Sequence, residues 1–61
     1  MKPAYIVTDG KLFVASAPAD PIRLTIKRDE AYRYSDICEA ITMREDLHCE
    51  GLTEFMVEHI D

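Results

Sequence analysis

Two cysteines and two histidines carry the first chemistry to weigh in these 61 residues: Cys38, His48, Cys49 and His59, the last three within the closing stretch LHCEGLTEFMVEHID. Thiolates and imidazoles are the ligands zinc prefers, and the order Cys, His, Cys, His raises a structural metal as a hypothesis. The spacing weakens it. Zinc sites take close pairs such as Cys-x2-Cys, which set two ligands on one turn, whereas ten residues separate Cys38 from Cys49. His48 and Cys49 are adjacent, and adjacent residues of a helix diverge by about 100°. A small buried thiol and partly buried imidazoles are the plainer reading. No cofactor is expected, and a zinc-stabilised minidomain stands only as an alternative.

The carboxylates come next. Asp46, Glu50, Glu54 and Glu58 recur every four residues. On one continuous helix they would form a row with ~6 Å between neighbours, close to the spacing of phosphates along a nucleic-acid strand and suited to a basic partner surface. The row has a cost, because like charges four apart repel by roughly 0.2–0.5 kcal/mol per pair. Its ordinary reading is a solvated helix face.

Charge is divided unevenly along the chain. Residues 1–34 hold six basic and four acidic side chains, a balance of +2; residues 35–61 hold Arg44 against eight acids, a balance of −7; the two sum to the net −5. Such an acidic half argues against general nucleic-acid binding. The basic residues Arg23, Lys27 and Arg28 leave a nucleic-acid-binding module, reading DNA or RNA through an outer sheet face, as the second alternative.

Catalysis finds little support. The chain has no glycine-rich phosphate loop and no His-Glu-x-x-His, and no serine or cysteine stands beside a base in a recognisable motif. A chain of this length also has little room for an enclosed cavity of ~300 Å³ or more. It is read as a non-enzyme.

The elements that must position these groups follow from periodicity. AYIVTDGKLFVAS reads as a β-hairpin turning at Asp9-Gly10, a dipeptide that favours positive φ. With a two-residue loop, Thr8 faces Lys11 and Ile6 faces Phe13, which leaves Tyr5, Val7, Leu12 and Val14 on one face. Ala4, Ile6, Phe13 and Ala15 take the other. The hairpin is thus apolar on both sides, and Ile6 with Phe13 marks a second contact surface, for a protein partner or for a homodimer. The prolines of APADP make a loop. A third strand spans about 22–28, with Ile22, Leu24 and Ile26 turned towards the core and Arg23, Thr25 and Lys27 turned out.

Ser35 is a candidate helix N-cap. From there Ile37, Ile41, His48, Leu52, Phe55 and His59 fall on one side of a helix, and Asp36, Glu39, Asp46, Glu50, Glu54 and Asp61 on the other. Gly51 is placed to end a helix, so two helices are favoured over one, the second being EFMVEHI behind a Thr53 cap.

The expected architecture is a single small α+β domain, residues 1–34 mainly β and 35–61 mainly α. A three-stranded antiparallel meander would carry one or two amphipathic helices on one sheet face. The chain shows no apolar run near ~18 residues, the length of a membrane span, and no signal-peptide pattern, so a soluble cytoplasmic protein is the simplest placement. In size, acidity and compactness it is similar to the small accessory proteins that bacteriophages and other mobile elements encode to bind a host factor. That resemblance covers no motif. It implies a regulator or inhibitor acting by stoichiometric binding of a protein partner.

Overall fold

The protein, described here by a computed structural model for residues 4–18 and 20–60, is a small α+β domain: a four-stranded antiparallel sheet with one helix. Strands β1 (Ala4–Thr8), β2 (Phe13–Val14) and β3 (Leu24–Thr25) run as a meander. A 3-10 turn at Arg28–Glu30 leads to helix α1 (Ile37–Cys49), and β4 (Met56–Ile60) closes the sheet in the order β3-β2-β1-β4. Asp61, assigned from sequence to a polar helix side, lies outside the described residues.

β1 is therefore a central strand. AYIVT does not alternate because both faces of this strand are covered, the condition under which strands read as continuous apolar runs. On the α1 side Val7 and Val14 pack with Tyr34, Ala40, Met43, Leu47 and Phe55. On the far side Ile6 and Phe13 pack with Ala31 and Ile60. Burying aliphatic and aromatic side chains of this size is worth ~1.5–3 kcal/mol each.

The turn is longer than a two-residue loop. Thr8 pairs with Phe13, leaving Asp9, Gly10, Lys11 and Leu12 in the connection. Asp9 Oδ1 accepts the backbone N–H groups of Lys11 and Leu12, each at 2.8 Å, and Gly10 takes φ +99°. Those two bonds, Leu12 first, hold the Asp9 carboxyl below its ordinary value. The register moves by two residues against the expected one. A shift of two keeps every side chain on its face, so the two apolar faces survive.

β1 and β2 then diverge, and residues 31–34 fill the fork. Tyr32 N–H bonds to the Val14 carbonyl at 2.9 Å, and Tyr34 exchanges bonds with Tyr5 at 2.8 and 2.9 Å. This segment brings Ala31 onto Ile6 and Phe13, and the Arg28 guanidinium sits 5.9 Å over the Phe13 ring. Ile6 and Phe13 are only 1% and 8% exposed. The surface expected there for a partner or homodimer is covered by the chain itself.

α1 starts one residue later than expected. Asp36, not Ser35, is the N-cap, its side chain accepting the Cys38 N–H at 2.8 Å. The buried residues are Ala40, Met43 and Leu47, which places the buried face about a third of a turn from the Ile37, Ile41, His48 face expected. Ile37 is exposed and Ile41 half-buried. Ala40, fully buried, has the small side chain that lets a helix approach a sheet closely.

Gly51 does end the helix. It adopts φ +93°; its N–H reaches the His48 carbonyl at 3.1 Å and Leu52 N–H reaches Leu47 at 2.9 Å, the paired bonds of a Schellman motif. Beyond it the chain forms a strand, not the expected second helix. Seven residues of helix are marginal alone, whereas Met56–Ile60 pairs with all five residues of β1 and satisfies its open edge. Among the described residues no helix is long and apolar enough to cross a membrane.

Candidate functional site

The strand at 56–60 dissolves the expected acidic row. Asp46 stays on α1 and Glu50 caps it, Glu54 sits in the following turn, and Glu58 projects from β4 beside Ile6. There Glu58 accepts a two-pronged ion pair from Arg28, with Nη1 to Oε1 at 3.4 Å and a closer contact between Nη2 and Oε2. The bond to Arg28 holds the Glu58 carboxyl below its usual value and raises the guanidinium in turn. Glu58 thus pins the cover over Phe13.

A different acidic arrangement replaces the row. Residues 39, 46 and 50 fall within a narrow sector of α1, with Glu39 and Asp46 ~10 Å apart along its axis. Both line an open cleft of about 230 Å³ with Pro18, Cys38, Thr42 and Met43. Its lining is mostly apolar and is flanked by two carboxylates, with Met43, only 4% exposed, reaching it from the core. The Thr42 hydroxyl donates to the Cys38 carbonyl at 2.9 Å and so is already engaged. This volume lies below the usual range for a small-molecule pocket, ~300–1,000 Å³, and suits single side chains of a partner.

Glu39 was legible as part of the polar helix side. Pro18 was not, because only the tertiary fold brings its loop to α1. The same flank continues from Asp46 to Glu50, so two of the four residues singled out in sequence remain in this surface.

The cysteine and histidine set does not assemble. Cys38 and Cys49 lie near opposite ends of α1, both exposed and unbridged. His48 Nε2 lies 3.0 Å from the Phe55 carbonyl, tying the helix end to the approach of β4. His59 stacks on Tyr5 with ring centroids 5.1 Å apart. Among the described residues no three His, Cys, Asp or Glu side chains gather as a metal would require.

The basic set is partly neutralised. Arg28 is held by Glu58, and Lys27 pairs with Glu30 at 3.7 Å. Only Arg23 of the three has no ion pair with a described residue. A second open cleft, of about 370 Å³, is lined by Ile6, Arg28, Asp29, Arg33 and Ile60, mixing both signs of charge.

Searched against family models, curated proteins and solved structures, the chain matches none.

Proposed function

We propose that this protein acts by stoichiometric binding of a protein partner, as a regulator or inhibitor and not by turnover, presenting the acidic flank of α1 to a basic, partly apolar segment. The observation that supports this reading is the Glu39, Asp46 and Glu50 flank beside the mostly apolar cleft lined by Pro18, Cys38, Thr42 and Met43. The carboxylates supply long-range attraction and orientation, and the apolar floor supplies contact area once the partner has arrived.

The test is calorimetric titration with an amphipathic peptide carrying lysines on one helical face and leucines on the other. One-to-one binding that weakens with salt and is lost in the Glu39→Lys/Asp46→Lys variant supports the reading. Absence of binding, or binding that survives the double reversal in a folded variant, removes it.

A further inference from the structure

The free edge of β3 carries a pattern that a second copy of the chain would complete. Ile22, Leu24 and Ile26, expected to face the core, are 37%, 38% and 77% exposed. Leu24 pairs with Val14 and shares its face, so Leu24 lies on the α1 side of the sheet, flanked by Ile22 and Ile26 on either side of the two-residue strand. α1 packs chiefly over β1 and β4 and leaves this flank open.

The backbone adds to the pattern. The Arg23 carbonyl accepts the Ala15 N–H at 2.8 Å, and its N–H donates to Ser16 Oγ at 3.3 Å, so Arg23 spends both groups on the β2 side. Peptide groups alternate along an antiparallel strand. Those of Leu24 therefore point outward, away from β2, with Ile22 and Ile26 just beyond the two ends of the short strand.

We propose that this edge is a self-pairing surface: two copies join antiparallel about a two-fold axis at Leu24, merging two four-stranded sheets into one. In that register Leu24 faces Leu24 of the second copy and Ile22 faces its Ile26. The three apolar residues of each copy form one strip on the α1 side.

The opposite face of the joint matches in charge. Thr25 Oγ1 donates to Glu30 Oε1 at 3.3 Å, which holds that carboxylate at Thr25. Arg23 stands opposite Thr25 of the second copy and so reaches its Glu30, twice by symmetry. Arg23 has no ion pair with a described residue of its own chain, and no two like charges stand directly opposite. Basic residues and Pro21 would ordinarily discourage pairing at a sheet edge; here Glu30 answers both Lys27 and the incoming Arg23. An edge-to-edge joint of this length falls below the ~1,200 Å² of stable interfaces, so the dimer is weak and reversible.

Sedimentation equilibrium over a roughly hundredfold range of concentration tests the proposal. The wild type shows a monomer–dimer equilibrium, and the Leu24 amide gains protection from exchange as concentration rises. Ile26→Lys, at a position already largely exposed, keeps the fold and raises the dissociation constant by ~tenfold or more. Arg23→Glu and Glu30→Arg each weaken pairing, and the combined swap restores it. A wild type that stays monomeric throughout overturns the proposal and leaves the edge to a foreign strand. So does a dimer indifferent to Ile26→Lys and to the charge swap, which would place the contact elsewhere.

Discussion

The hydroxyl of Tyr34 donates a 2.8 Å hydrogen bond to the carbonyl of Ser16, eighteen residues earlier in the chain, and both residues are fully buried. One bond therefore locks the strap of residues 31–34 to the end of β2 while the ring fills the core beneath α1. Tyr34→Phe keeps the ring and removes the donor, leaving the Ser16 carbonyl unsatisfied. The expected loss is about 1–2 kcal/mol, or roughly 5–15 °C in Tm, read by thermal circular dichroism. An unchanged Tm would show that water replaces the bond.

The same residue ties part of the stability to alkaline pH. Burial, reinforced by the nearby Tyr32 and Glu39, pushes the Tyr34 phenol from 10.0 up to about 12. The folded state therefore keeps a proton that the unfolded chain has released. The stability tied to this group is whole below pH 10 and lost as pH rises through about 12. Phenolate absorbance should show one of the three tyrosines ionising late, together with unfolding. A single transition near the ordinary value with the fold intact would contradict the buried phenol.

At the acid end the sign reverses. Glu58, held down first by its bond to Arg28, and Asp9, held down first by the Leu12 N–H, both have lowered carboxyl values. Their contribution is present above the ordinary values of 4.5 and 3.8 and drains away as pH falls below them. Glu58→Gln should flatten part of that acid decline. It should cost less at neutral pH than Arg28→Ala, since Arg28 also covers the Phe13 ring. Equal costs at neutral pH would show that the cover contributes nothing.

How far the chain could be read from its letters depended on whether each feature is local. Asp9-Gly10 and Gly51 were legible because positive φ is a local demand that glycine meets cheaply, and the two apolar faces of the hairpin survived a register shift of two. The segment MVEHI was not legible as a strand. Its apolar residues fit either period, and the deciding partner, the open edge of β1, lies 48 to 56 residues away. Once residues 54 and 58 left the helix, the acidic row left with them. Alternation of Ile22, Leu24 and Ile26 pointed to a strand over about 22–28 turned towards the core, whereas only Leu24–Thr25 pairs, Arg28–Glu30 forms a 3-10 turn, and all three apolar residues are exposed because α1 lies elsewhere.

Gly51 offers a test of the helix stop. At φ +93° a Cβ would find open space, with no atom within 4 Å, so Gly51→Ala carries a backbone penalty without a clash. The expected cost is ~1 kcal/mol, seen as a lower denaturant midpoint at constant slope. Asn, which tolerates the left-handed region better, should recover part of it. A stabilised alanine variant would mean that α1 can run on and pull residues out of β4.

The thiols bring the metal hypothesis to a direct measurement. Cys38 and Cys49 lie in the first and last turns of α1, and eleven residues of helix put them ~16 Å apart along the axis. A disulfide needs Cα atoms within ~7 Å, and zinc holds its sulfurs at ~2.3 Å from a common centre, so neither can join them while the helix is formed. Both thiols are exposed and should react fully with a disulfide reagent in the native state. Zinc and a strong chelator should both leave Tm unchanged. A melting temperature that rises with zinc and falls equally in Cys38→Ala and His59→Ala would require α1 to unwind around the metal.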